Sequence, residues 1–185
     1  LTVMKSNIPW SVAIHLAIAF LLFYIVLNIF LLTLATSKQK VPVDKFLNKL
    51  IYTSLLMTLI TACAGALTSK YGASLSCSRW PLCNEGFFPN LSDQFEIIHF
   101  LHRLLAFLLV SLLIFSFYKL KTYFRYLPYR TQIVCLLIPI IIFMQVIIGA
   151  ILIVLGVPIW TGILHQFMGL FLFASIITLL SNIKE

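Results

Sequence analysis

Charge is scarce in this chain, and acidic charge most of all. Only five of its 185 residues are Asp or Glu, against thirteen Lys or Arg; charged residues make up 10% and hydrophobic residues 62%. An average soluble domain carries about 25% charged residues, so a water-soluble globular domain is excluded. A mean hydropathy of +1.08 places the chain in a membrane instead. The formal net charge of +8 is not a nucleic-acid signature, because the basic residues sit in short blocks between apolar runs. That is how loop charge orients membrane helices. A secretory leader with its charged start and cleavage site is also missing, and the first residue is Leu rather than Met, so the expectation is a longer parent protein.

What the chain has in quantity is long apolar runs. About 20 apolar residues cross a hydrocarbon core of roughly 30 Å, and five segments reach that length: 9–35, 50–68, 95–118, 133–155 and 159–180. The loop 37–49 holds Lys38, Lys40, Lys45 and Lys49, and the loop 119–130 holds Lys119, Lys121, Arg125 and Arg130. Both are expected on the cytoplasmic side. The loop 69–94 sets Lys70 and Arg79 against Glu85 and Asp93, and the turn 156–158 carries no charge, so both are expected outside. Tyr118, Tyr123, Tyr126 and Tyr129 read as an aromatic belt at the inner interface.

Two stretches 150 positions apart repeat one pattern: Trp10 and His15 match Trp160 and His165, and further on Leu22 and Phe23 match Leu172 and Phe173. A His inside a membrane span is costly without a partner, so its recurrence in two repeats reads as a functional site. His15, His102 and His165 each lie about five to seven residues inside the outer end of a span, roughly 8–10 Å deep at about 1.5 Å per residue. They share one layer. The third and fifth spans run in the same direction, so His102 and His165 can face each other across a four-helix bundle. Two neutral imidazoles in a dry bundle suit the iron of a haem, whose porphyrin fills the gap between helices. A lone His is more simply satisfied by a carbonyl on a neighbouring helix; three in one layer, two of them repeat-related, favour the ligand reading.

Arg103 needs an anion or a route to the surface at its depth. A haem propionate would supply the anion, and a plain interfacial anchor accounts for the residue equally well. His99, one turn nearer the outer boundary on the same face as His102, is a candidate second-layer group toward the cofactor or a bystander. In the outer loop, Cys77 and Cys83 flank a Trp80-Pro81 turn and form a candidate disulfide. A structural staple is the simpler role, redox exchange the other. A zinc site lacks a second ligand pair, and covalent haem attachment lacks Cys-x-x-Cys-His. Cys63 and Cys135 read as small packing residues.

The run Gly65-Ala66-Leu67-Thr68, the loop Ser76-Cys77-Ser78-Arg79-Trp80-Pro81-Leu82-Cys83, the pair His102-Arg103, and then Gly149-Ala150, Pro158 and His165 resemble the haem A synthase family. The resemblance covers essentially the whole chain. It implies an eight-helix membrane protein of two four-helix halves, each with two haem-facing His, that oxidises a methyl group of haem O to the formyl group of haem A. On this resemblance the chain is an all-α integral membrane protein of five transmembrane helices, the last four forming a haem-binding bundle. Residues 1–36 correspond to the last helix of the amino-terminal repeat, 37–48 to a cytoplasmic loop and 49–185 to the carboxyl-terminal repeat.

The resemblance further implies that His102 and His165 hold haem b and that His15 is one ligand of the site for the substrate, haem O. The family's catalytic half carries a Glu three residues before its His-Arg. His99 stands at that position here, and Glu96, six residues before His102, does not replace it. The catalytic carboxylate and the partner of His15 are therefore expected upstream of Leu1. The implied partners are the lipid membrane, haem O and the enzyme that makes it, and an electron acceptor, with no nucleic acid and with the oligomeric state open. The implied setting is a bacterial plasma membrane or a mitochondrial inner membrane. Two other classes stay open on the residues: a bis-His b-type cytochrome passing electrons from quinol, and a non-enzymatic assembly factor with incidental His. The Cys pair and its Trp-Pro loop favour the haem A synthase reading.

Overall fold

The computed structural model describes residues 8–34, 40–81, 83, 84, 86 and 88–184. Five helices account for most of them: α1 (Pro9–Leu34), α2 (Lys45–Lys70), α3 (Gln94–Leu120), α4 (Tyr129–Val154) and α5 (Ile159–Ser181). Each is long and apolar enough to cross a membrane, which makes this the all-α membrane protein expected from the sequence. Leu1, Ala35 at the end of the first expected span, Ser37 and Lys38 in the first loop, and Leu82 and Glu85 in the second lie outside the described residues.

The helices overrun the apolar segments at charged ends. α2 starts at Lys45 because Asp44 caps it, Oδ1 accepting the Leu47 N–H at 2.9 Å. Its first turn is basic and interfacial, so hydropathy alone places the start five residues too late. Inside α2 the hydroxyls of Ser54, Thr58, Thr61 and Thr68 each donate to the carbonyl four residues back. Buried hydroxyls are thereby satisfied within their own helix. In α4, Pro139 lacks the N–H that an interior helical position would supply.

Around the bundle the neighbours run α3, α2, α5, α4, with α1 lying in the outer angle between α2 and α5. Phe20 of α1 meets Phe173 of α5 edge-on at 4.8 Å between centroids. α1 and α5 begin at Pro9 and Ile159, the same offset as the sequence repeat. Trp10 and Trp160 both face outward.

The buried apolar cluster lies at one end of this bundle. Leu47, Ile51, Leu113, Ile138, Ile176 and Leu179 belong to it, and they come from the first half of α2 and α4 and the second half of α3 and α5. That end is also tied by loops. β1 (Val41–Pro42) pairs in parallel with β2 (Ile183–Lys184), and Val41 N–H donates to the Asn182 carbonyl at 2.9 Å. Tyr123 donates its hydroxyl to Asp44 Oδ2 at 3.1 Å and accepts the Asp44 N–H at 3.2 Å. Tyr118, Tyr126 and Tyr129 are exposed as a belt would be, but Tyr123 is turned inward by this contact. The opposite end, which holds the histidines, is lined mostly by half-buried small and polar side chains.

Candidate functional site

The loop that follows α2 folds back over the start of α3. Cys77 and Cys83 are joined in a disulfide with Cα atoms 4.4 Å apart, and both are buried. The Trp80–Pro81 bond in the turn between them is cis. Two side chains of α3 hold the loop down. Glu96 accepts from Asn84 Nδ2 at 2.6 Å and from the Asn90 N–H at 2.9 Å. Asn84 in turn donates to the Ser76 carbonyl at 2.8 Å and accepts from Ser78 N–H at 3.1 Å.

Arg103 is the second holder. Its Nη2 donates to the Cys77 carbonyl at 2.7 Å, its Nη1 to the Arg79 carbonyl at 2.8 Å, and its Nε to His99 Nε2 at 3.1 Å. These contacts tie the guanidinium to the disulfide loop and to its own helix. His99 is not the exposed bystander that its place near the boundary implies; it is buried. Both ring nitrogens face donors: Nε2 accepts from Arg103 Nε at 3.1 Å, and the Cys77 N–H is directed at Nδ1 at 3.3 Å. His99 is spent on the loop.

One turn further along α3, His102 points into the bundle against α2. Its Nδ1 lies 3.2 Å from the Thr61 carbonyl. A carbonyl only accepts, so Nδ1 bears the proton and Nε2 keeps its lone pair. The ring packs over Gly65, where a Cβ would stand 3.0 Å from His102 Cε1.

His165 on α5 repeats the arrangement against α4. It packs over Gly149, where a Cβ would stand 3.1 Å from its Cε1. Its Nε2 lies 3.3 Å from Gln145 Nε2, and Gln145, like Thr61, sits four residues before the glycine. Here the accounts do not close. His165 Nδ1 and Gln145 Oε1 are both buried without a partner among the described residues. Leaving a buried polar group unsatisfied costs about 1–3 kcal/mol, so a site with such orphans is built for something further.

His102 and His165 hold matching places in the two helix pairs, each ring packed over a glycine of the preceding helix, and His165 is near enough to act on His102 electrostatically. His15 is exposed on α1 and makes no hydrogen bond among the described residues. Gly65, Gly149, Thr61 and Gln145 were not singled out as functional in the sequence. Their signal is there all the same, since a polar residue followed four positions later by Gly-Ala occurs once in α2 and once in α4. Cys63 is half-buried, its Sγ 3.7 Å from the Ala13 carbonyl, and Cys135 is buried, as packing residues would be.

Comparison with known proteins supplies the family. Residues 1–177 match the model of the family described as cytochrome oxidase assembly protein, COX15-CtaA. The chain is 25% identical over 179 residues to a haem A synthase of Flavobacterium psychrophilum, covering 90% of the chain and 52% of that protein. It is 31% identical over 159 residues to one of Exiguobacterium sibiricum, covering 84% and 51%, and 31% identical over 134 residues to one of Bacillus pumilus, covering 70% and 42%. The chain spans about half the length of these curated relatives. A match over nearly its full length means that the chain belongs to the COX15-CtaA family of cytochrome oxidase assembly proteins.

Proposed function

We propose that the bundle of α2 to α5 holds haem b between His102 and His165 and that the protein acts as a haem A synthase, oxidising haem O. The observation that carries the haem site is the paired cradle: two imidazoles, each packed on a glycine of the preceding helix, each engaged at one ring nitrogen with the other without a hydrogen-bond partner. Such a donor set fits haem iron, which takes neutral imidazole and gains from a hydrogen bond on the ligand's far nitrogen.

When bound there, haem supplies a one-electron iron centre in a water-poor setting. The residues of the chain supply the rest. The Thr61 carbonyl fixes the tautomer of His102, and Gly65 and Gly149 let both rings sit against helix backbone. The disulfide loop, held by Glu96 and Arg103, covers the start of α3 and keeps water from that end. The loop 69–94 lies on the extracytoplasmic side in this reading. The haem O site is proposed to involve α1, whose His15 stands at the repeat position of His165.

The test is an absorption spectrum of the purified, haem-supplied protein. Two imidazole ligands give six-coordinate low-spin iron, and His102→Ala or His165→Ala should abolish that signature. A low-spin spectrum retained in both single variants overturns the ligand assignment. Formation of haem A from haem O in membranes that carry the protein, followed by chromatography of extracted haems, tests the activity. No haem A above membranes lacking the protein would sink it.

A further inference from the structure

We infer that the disulfide loop is seated in the headgroup–acyl boundary of the lipid layer rather than in water, with Trp80, Phe88 and Leu91 turned to the acyl chains. Glu96, His99, Phe100 and Arg103 stand at i, i+3, i+4 and i+7, one face of α3, and the loop touches all four. Glu96 accepts from Asn84 and Asn90. His99 meets the Cys77 N–H, and Arg103 donates to the Cys77 and Arg79 carbonyls. The Phe88 ring stands 6.3 Å from that of Phe100 between centroids. Phe100 comes six residues after Gln94, where α3 starts, about 9 Å along the helix at about 1.5 Å per residue. The loop therefore runs down beside the first turns of a spanning helix instead of standing above them.

The two sides of the loop have opposite chemistry. Bare, this face of α3 would set a carboxylate and a guanidinium against lipid, which is costly. The loop covers it with donors and acceptors that match. Its own main chain also closes on itself, as a segment at membrane depth requires. Cys83 and Gly86 exchange both N–H to carbonyl bonds, at 3.2 and 3.1 Å, and the Asp93 N–H donates to the Asn90 carbonyl at 2.9 Å. The outward side is apolar: Phe88 is 79% exposed, Leu91 82% and Trp80 50%. Large apolar side chains held out so far are unfavourable in water and at home in the boundary layer, where Trp in particular collects. Further along α3, Leu101, Leu104 and Phe107 are exposed as lipid-facing residues are, so Phe88 beside Phe100 continues an apolar surface already in lipid.

Thiol labelling by a water-soluble maleimide in open membrane fragments reads this, because only a hydrated thiolate reacts. Phe88→Cys is the probe, Ser92→Cys on the exposed polar side of the same loop the water standard, and Phe107→Cys the lipid standard. Rates are scaled to labelling of each variant in SDS, and labelling of the unsubstituted protein, with Cys63 and Cys135, is subtracted. Phe88→Cys should label about tenfold more slowly than Ser92→Cys, the loss of thiolate for a rise of about one unit in thiol pKa, and close to the rate of Phe107→Cys. The same order should hold after purification into vesicles of phosphatidylcholine alone. Labelling of Phe88→Cys as fast as Ser92→Cys in membrane fragments would put the loop in water and overturn the inference. Slow labelling in membrane fragments that becomes fast in the vesicles would assign this face to a protein partner, and would overturn it as well.

Discussion

Gly65 lies so close beneath His102 that a Cβ added to it would stand 3.0 Å from ring atom Cε1, and Gly149 bears nearly the same relation to His165, at 3.1 Å. Neither glycine is needed for a turn, since both lie inside helices. Glycine inside a helix costs about 1 kcal/mol relative to alanine, so each is retained against local propensity, and the ring on the neighbouring helix is the reason.

Gly65→Ala and Gly149→Ala should therefore gain helix propensity and still lose at the site. Contact this close forces the ring or the helix to move, and overpacking of that kind costs about 1–3 kcal/mol. The expected result is weakened low-spin haem binding in each variant. Gly162→Ala is the comparison, because its Cβ would meet only Leu152 at 4.0 Å. Equal haem binding by all three alanine variants would remove the cradle argument.

Arg103→Lys should loosen the disulfide loop although the charge is kept. A lysine cannot present three nitrogens to the Cys77 carbonyl, the Arg79 carbonyl and His99 at once. Losing hydrogen bonds to a charged group costs about 1.5–3 kcal/mol each. Hydrogen exchange of the loop amides reads the change, with the Ser78 N–H, which donates to Asn84, as reporter. Unchanged protection in Arg103→Lys would mean that Glu96 and Asn84 hold the loop alone.

Much of this molecule is legible in its sequence because lipid admits few solutions: apolar runs of spanning length must be helices, and an ionisable residue within one needs a reason. The five helices follow from that, and so does the proposal that His102 and His165 share a site. The work of Arg103 and His99 does not, because hydropathy and spacing say nothing of which loop folds back onto a helix end. Arg103 donates to two carbonyls of the docked loop, a contact that no spacing in the sequence announces. His15 shares the repeat position and depth of His165, yet depth does not fix which way a helix faces, and α1 turns this residue outward. Gly65 and Gly149 carry part of the family resemblance, but their place under the rings is not legible in the sequence, because glycine in a membrane helix has many uses until its neighbour is known.

The Cys77–Cys83 bond should make a measurable contribution to the loop. Closing so short a segment is worth about 2 kcal/mol on chain-entropy grounds. Mass spectrometry of the unreduced peptide should show two hydrogens fewer than the reduced one, and Cys83→Ser should speed cleavage of the loop by added protease. Two freely alkylated thiols in native membranes would contradict the fold at this point.

Asp44 gives the opposite end a pH dependence. Its carboxylate accepts the Leu47 N–H as the cap of α2 and the hydroxyl of Tyr123 across the loop, with Lys119 nearby, and these hold its pKa below the ordinary value. A carboxylate with a depressed folded pKa stabilises the fold fully above its unfolded pKa of about 3.9, and that contribution fades as pH falls through the folded value. Asp44→Asn keeps a capping oxygen but cannot titrate. The loss of thermal stability between neutral pH and about pH 3 should therefore be smaller in Asp44→Asn than in the unsubstituted protein, with the two curves converging at the acid end. Parallel curves would place the acid sensitivity elsewhere and leave the Asp44–Tyr123 contact without a role in tying the α1–α2 linker to the α3–α4 loop.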